Sequence, residues 1–126
     1  MTVVLDASAV LALIRREPGA EKVVAAIAGS LISAVNFAEV ASRLVDIGMP
    51  QEMALNQLSG FGLHVVSFDL PFATAVMTLR PLTRHAGLSL GDRACLALAI
   101  REKATVLTAD RAWAALELGC EIELIR

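Results

Sequence analysis

Four acidic residues stand at junctions between apolar segments of this sequence: Asp6, Glu39, Asp92 and Asp110. Carboxylate oxygens are the ligands that Mg²⁺ and Mn²⁺ prefer, and no set of His and Cys residues has zinc-ligand spacing. Acids gathered a few ångströms apart repel each other by roughly 3–4 kcal/mol per pair at an effective dielectric near 20. Divalent cations offset this repulsion and lower the pKa of a bound water, which makes it a nucleophile at neutral pH. The acids therefore predict an oxygen-ligated metal site.

The segments between the acids alternate between strand and helix patterns. Short β-branched runs predict five strands, at Thr2–Leu5, Leu31–Ala34, Leu63–Phe68, Thr105–Thr108 and Glu121–Ile125. Helical spacing predicts helices at Ala7–Arg16, Ala20–Ala28, Val35–Ile47, Gln51–Leu58, Asp69–His85, Ser89–Lys103 and Arg111–Leu118. Pro81 is expected to bend or split the fifth helix. This alternation predicts a parallel sheet with helices on both faces, in a single domain spanning residues 1–126.

The predicted topology places the four acids at one edge of the sheet. Carboxyl ends of parallel strands and amino ends of the following helices share that edge. Asp6 follows the first strand and Asp110 the fourth, while Glu39 and Asp92 lie near the starts of helices. Asp69 also lies where a strand meets a helix, so spacing alone admits it as a fifth member.

Local capping is the alternative interpretation of each acid. An aspartate at a helix N-terminus usually accepts a hydrogen bond from the backbone. The segment Ser89–Asp92 is similar to a capping box with Asp in place of Glu or Gln, and Asp110 is placed to cap a helix that starts at Arg111. Glu39 lies on a helix face with other polar residues. Each acid alone is compatible with a structural role, whereas the set of four favours a site.

Four sequence blocks in order resemble PIN-domain ribonucleases, and more closely the VapC toxins of bacterial toxin–antitoxin pairs. The blocks are Val4–Ala9, Ile32–Val40, Leu88–Ala99 and Val106–Trp113. The resemblance extends over essentially the whole chain. Trp113 stands where relatives often have Phe, which is a conservative departure.

The resemblance implies a three-layer α/β/α fold with strand order 3-2-1-4-5, which brings strands one and four together and leaves Asp69 at the margin. It implies that Asp6, Glu39, Asp92 and Asp110 are catalytic and bind one or two Mg²⁺ or Mn²⁺ ions. The expected activity is endoribonucleolytic cleavage of tRNA or rRNA that inhibits translation and growth. The expected partners are RNA, a VapB-type antitoxin that contacts the apolar helices of the first half, and a second copy in a homodimer.

Three polar residues are candidates for supporting the acids. Ser8 and Asn36 are placed to hydrogen-bond the carboxylates, and Thr108 to orient Asp110 or the attacking water. Capping of local backbone groups is the alternative for Ser8 and Thr108.

Four arginines are candidates for RNA contacts, although the net charge of −2 shows no strongly basic surface. Arg93 and Arg111 each adjoin a site acid, while Arg80 and Arg84 are one helical turn apart. The alternative for Arg80 and Arg84 is a solvated face, and for Arg93 a pairing with the acids or with the dimer partner.

Other classes of protein fit the sequence less well. The uncharged stretch Val23–Ala38 is shorter than the ~20 residues of a spanning helix, and Met1–Asp6 lacks a signal-peptide pattern, so a cytoplasmic protein without a membrane segment is expected. Cys95 and Cys120 are expected to be free thiols. A receiver-like phosphoacceptor domain needs a lysine near Thr108–Asp110, and none is present. A catalytically silent PIN-type RNA-binding scaffold stays open as a further alternative.

Overall fold

A computed structural model describes residues 1–126, and its five strands form one parallel sheet. The strands are β1 Val3–Leu5, β2 Leu31–Ser33, β3 His64–Val66, β4 Thr105–Thr108 and β5 Glu121–Leu124. The helices are α1 Ala7–Ile14, α2 Ala20–Ala26, α3 Ala34–Asp46, α4 Gln51–Ser59, α5 Leu70–Thr83 and α6 Leu90–Glu102, with short 3₁₀ helices at Arg84–Ala86 and Arg111–Ala115. The strand order β3-β2-β1-β4-β5 confirms the order that the resemblance implied.

The side chains of β1 alternate between the two faces of the sheet, as the pleat of a strand requires. Val3 and Leu5 pack into a core with helices α1 to α4, whereas Val4 packs into a second core with α5 and α6. Helices therefore cover both faces, and the predicted three-layer α/β/α architecture is confirmed.

The pairing of β1 with β4 builds the centre of the sheet. Leu5 lies opposite Leu107, and the N–H of Asp6 donates to the carbonyl of Leu107 at 3.4 Å. The residue that follows β1 thus lies beside the last residue of β4, Thr108. This pairing places segments from the two ends of the chain at one sheet edge.

Helix α5 differs from its prediction. It continues through Pro81 to Thr83, so of the two predicted effects of the proline, a bend or a split, the split is wrong, and the α-helix ends where the 3₁₀ turn begins at Arg84. Proline removes one helical N–H, yet Pro81 is exposed while Val76 and Leu79 are buried on the opposite side. Burial of that apolar face holds the helix together across the missing hydrogen bond.

The last predicted helix is also shorter than expected. Residues 111–115 form a 3₁₀ helix, and Leu116 is already extended at φ −78° and ψ 138°.

None of the helices combines the length and the hydropathy that crossing a bilayer requires. Cys95 is buried, Cys120 is half-buried, and both are free thiols.

Candidate active site

A groove of about 880 Å³ opens at the edge of the sheet where β1 and β2 end. Asp6, Glu39, Asp92 and Asp110 all line it. Asp6 directly follows β1, Asp92 lies in the first turn of α6, and Asp110 is two residues beyond β4. Glu39 lies in the second turn of α3, near the start of the helix as the sequence predicts. Strands and helices from both halves of the chain therefore converge on one acidic surface, here called the acid groove.

Asp6 is the buried centre of the acid groove, with 5% of its surface exposed. It caps α1, since Oδ1 accepts a hydrogen bond from the N–H of Ala9 at 2.9 Å. The hydroxyl of Ser8 donates to Oδ1 at 2.7 Å, and the hydroxyl of Thr108 donates to Oδ2 at 2.5 Å. Both carboxylate oxygens are thereby held in fixed positions.

The two hydroxyls are themselves fixed by the backbone after β4. The N–H of Ala109 donates to Ser8 Oγ at 2.9 Å, and the N–H of Asp110 donates to Thr108 Oγ1 at 3.0 Å. Thr108 therefore contacts both the backbone N–H of Asp110 and the carboxylate of Asp6.

Burial raises the pKa of Asp6 from 3.8 to about 6, and the negative charge of Asp92 adds to this rise. Hydrogen bonds from Thr108, Ser8 and the Ala9 N–H act in the opposite direction. The ion pairs of the chain are Arg101–Glu102 and Arg126–Glu17, so no cationic side chain neutralises Asp6 when it ionises. An added cation would supply the missing charge.

Glu39 packs against the start of α6. Asn36 Nδ2 donates to Glu39 Oε1 at 2.8 Å and to the carbonyl of Gly91 at 3.0 Å, which ties α3 to α6. A Cβ atom at position 91 would lie 2.7 Å from Glu39 Cδ, closer than side chains approach each other. Glycine at this position is therefore what leaves room for the Glu39 carboxylate. Asn36 itself is buried, and its Oδ1 has no hydrogen-bond partner.

Asp92 and Asp110 both cap helices and line the acid groove. Asp92 Oδ2 accepts from the N–H of Ser89 at 3.0 Å, and Ser89 Oγ accepts from the N–H of Asp92 at 3.1 Å, which is the capping box that the sequence predicted. Asp110 Oδ1 accepts from the N–H of Ala112 at 3.0 Å. The capping interpretation and the site interpretation thus describe the same side chains.

The four carboxylates are spread over the groove, and no three potential ligands form a compact metal cluster. Asp92, Asp110 and Glu39 each use one oxygen in a protein hydrogen bond and keep the other free of such bonds. An all-oxygen donor set with free oxygens and uncompensated charge fits Mg²⁺ or Mn²⁺, which bind few protein carboxylates and keep several waters.

The four candidate arginines have different surroundings. Arg93 is half-buried beside Asp92, its Nε is buried without a partner, and it forms no ion pair. Arg80 is exposed on α5 and lines a second groove together with Arg93. Arg84 and Arg111 are exposed, and neither lines the acid groove or the second groove.

Phe68 and Arg43 also line the acid groove, although the sequence did not mark them as site residues. Phe68 follows β3 at the edge that the topology rule already marked. Arg43 lies one helical turn after Glu39, a spacing that had been attributed to a polar helix face. Asp69 does not line the groove. Its carboxylate caps α5 by accepting from the N–H of Phe72 at 3.0 Å.

A parallel sheet in the order 3-2-1-4-5 between two helical layers belongs to a known class of fold. The sequence model of the PIN domain family matches residues 3–117. The chain therefore belongs to the PIN domain family, and the resemblance seen in its four sequence blocks is confirmed.

Several solved structures share the fold along nearly the whole chain. A chain of a toxin–antitoxin complex from Klebsiella pneumoniae matches with a TM-score of 0.77 and 15% identity, over 99% of this chain and 98% of that one. DNA-bound VapBC from Salmonella typhimurium gives 0.73 and 17%, over 100% and 99%. VapBC2 from Rickettsia felis, bound to a promoter DNA fragment, gives 0.72 and 20%, over 98% of both chains. No curated protein sequence matches significantly.

Proposed function

We propose that this PIN domain, spanning residues 1–126, is a Mg²⁺- or Mn²⁺-dependent endoribonuclease that acts as the toxin of a type II toxin–antitoxin pair. Cleavage of tRNA or rRNA would inhibit translation and growth. The observation that carries the proposal is that Asp6, Glu39, Asp92 and Asp110 line one groove in which no cationic side chain pairs with them. Membership of the PIN domain family supports it.

The four acids would hold one or two metal ions, with Asp6, Asp92 and Asp110 as direct ligands and Glu39 binding a second ion or orienting water. When bound, the metal supplies charge neutralisation at the scissile phosphate and a nucleophile at neutral pH. Partners of the ligands fix their geometry and basicity, as is general at metal sites.

The supporting residues have separate tasks in this proposal. Ser8 and Thr108 hold the two oxygens of Asp6, while Asn36 holds Glu39 against α6. Arg43 lies at the groove wall, where its guanidinium can bind an RNA phosphate.

The proposed partners are RNA, a VapB-type antitoxin and a second copy of the chain. Exposed Val45 and Leu55 line a shallow surface between α3 and α4. Ser42 lines both this surface and the acid groove, so an antitoxin segment bound there would lie beside the acids. The chains with similar folds come from toxin–antitoxin complexes, which supports a partner of this kind.

Two alternative functions make different predictions about the fold and the site. A receiver-like phosphoacceptor domain has strand order 2-1-3-4-5, whereas this sheet has order 3-2-1-4-5, so that alternative is wrong. A catalytically silent RNA-binding scaffold keeps the fold without chemistry. Calorimetric titration with Mn²⁺ separates it from the nuclease, because a silent site would bind the ion weakly or not at all.

The decisive experiment compares Asp92→Asn with Asp69→Asn. Both aspartates cap a helix, and asparagine keeps the capping oxygen in both. Only Asp92 lines the acid groove. Cleavage of end-labelled RNA is measured with Mg²⁺, with Mn²⁺ and with EDTA. We expect wild type and Asp69→Asn to cleave in either metal, and Asp92→Asn and EDTA to abolish cleavage. Equal cleavage by the two variants would exclude the proposed site.

A further inference from the structure

A second groove, of about 640 Å³, lies between α5 and α6 and adjoins the acid groove. Phe68 lines both grooves. Met77 and Leu90 both line the second groove, and they are 64% and 51% exposed. Two such exposed apolar side chains form a surface that a ligand can cover. We call this surface the α5–α6 groove.

Charge distinguishes the α5–α6 groove from its neighbour. Arg80 and Arg93 line it, and no Asp or Glu does. Neither arginine forms an ion pair, and the Nε atom of Arg93 is buried without an acceptor. Two guanidinium groups without carboxylate partners give the groove uncompensated positive charge, which favours an anionic ligand.

The two properties together match one type of ligand. A nucleotide has an anionic phosphate that arginines bind and a flat base that apolar side chains cover. The aromatic ring of Phe68 and the side chain of Met77 supply the apolar part, while Arg80 and Arg93 supply the cationic part. Because Phe68 lines both grooves, neighbouring nucleotides of one RNA strand can lie in the two grooves.

We infer that the α5–α6 groove binds a nucleotide of single-stranded RNA next to the phosphodiester that lies in the acid groove. The inference rests on the proposed ribonuclease function, since it assigns the substrate's neighbouring nucleotide to a place on the protein. Charge complementarity and continuity with the acid groove select RNA as the occupant. The site recognises the strand through one base and its phosphate, and it works without the metal.

The test measures RNA binding where cleavage cannot occur. Fluorescein-labelled single-stranded RNA of about ten nucleotides is titrated with the full chain in EDTA, and the Kd is taken from fluorescence anisotropy. The variants are Arg80→Gln and Met77→Gln, which change exposed residues of the groove. The matched controls are Arg15→Gln and Met53→Gln, which are exposed and lie outside both grooves.

We expect each groove variant to raise the Kd about three- to tenfold and each control to stay within twofold of wild type. Arg80→Gln should also lower the slope of log Kd against log salt by about 0.7, the effect of one lost phosphate contact on a single strand.

Unchanged Kd values for both groove variants would overturn the inference, even if wild type cleaves RNA. A shift of Met77→Gln to a smaller species in sedimentation, with unchanged RNA affinity, would also overturn it and would assign the groove to contacts between copies of the chain. If wild type cleaves nothing while the groove variants weaken binding, the RNA site stands and the proposed cleavage fails.

Discussion

The hydroxyl of Thr108 donates a hydrogen bond to Asp6 Oδ2 and accepts one from the backbone N–H of Asp110. One oxygen atom therefore connects the buried acid of the first strand with the loop that carries the last acid. Because Thr108 is fully buried, water cannot replace either hydrogen bond without a rearrangement.

Thr108→Val should separate this connection from packing, since valine has nearly the same shape. It leaves the N–H of Asp110 without its acceptor, and we expect a loss of about 1–2 kcal/mol in the free energy of unfolding. RNA cleavage should fall about 10- to 100-fold, as is typical when a partner of a metal ligand is removed. Thr105→Val on the same strand is the control, because its hydroxyl contacts Glu121 away from the acids. Equal cleavage by the two variants would contradict the assigned role of Thr108.

Asp6→Asn should abolish cleavage and yet stabilise the metal-free fold above pH 6. The folded-state pKa of about 6 lies above the unfolded value of 3.8, so the folded state binds the extra proton between these values. Stability is therefore lost as pH rises through that window, by about 3 kcal/mol in full. Asparagine carries no charge and avoids this loss, although the hydroxyls of Ser8 and Thr108 must reorient toward it.

Thermal unfolding in EDTA measures the effect. We expect a Tm about 3–6 °C higher than wild type at pH 7.5, corresponding to a net gain of about 1–2 kcal/mol. The difference should narrow toward pH 4, where wild-type Asp6 is protonated. Added Mn²⁺ should raise the Tm of wild type alone. A lower Tm for Asp6→Asn at pH 7.5 in EDTA would show that burial of the charge is not the dominant cost.

Affinity for Mn²⁺ should depend on pH through the same carboxyl. A proton on Asp6 competes with the metal, so the apparent Kd should rise up to about tenfold per unit as pH falls below about 6. Calorimetric titrations at pH 7.5, 6.5, 5.5 and 5.0 provide the measurement. In Thr108→Val the weakening should begin at a higher pH, because the lost hydrogen bond is one that lowers the pKa of Asp6. An affinity that is flat across this range would remove Asp6 from the ligand set.

Gly91→Ala should impair cleavage by displacing a different acid. The new methyl group would overlap the Glu39 carboxylate, so we expect at least a tenfold loss of activity. Alanine itself suits a helix better than glycine does, so the fold should persist. Gly60→Ala is the control, because a Cβ there meets nothing closer than 3.5 Å. Adding Gly91→Ala to Glu39→Ala should cause no further loss if the methyl group acts only through Glu39.

Sequence alone predicts which acids lie at the carboxyl edge of the sheet, but not which of them belong to the site. The rule for parallel sheets admits Asp69 together with Asp6, and both cap a helix in the structure. The difference lies in strand order, because β3 is at the margin of the sheet and β1 is at the centre. Spacing along the chain contains no information about which strands are neighbours. The family resemblance supplied the order, and the sheet confirms it.

Side-chain contacts between helices were the feature that the sequence predicted least well. The α5–α6 groove depends on how two helices pack, and no local pattern around Met77 or Arg93 indicates it. The contact of Gly91 with Glu39 similarly joins positions that are far apart in the sequence. Capping was predictable because it is local, as at Ser89 and Asp92.

The adjacency of β1 and β4 has a consequence for the timing of synthesis. Asp6 leaves the ribosome 102 residues before Thr108 does. At ~5–20 residues per second, the growing chain carries Asp6 without its hydroxyl partner for about 5–20 seconds. A nascent chain, or one released early by a truncated message, would therefore have Asp6 and Glu39 but no complete acid groove. The proposed activity would begin only after the segment from Asp92 to Asp110 has been synthesised.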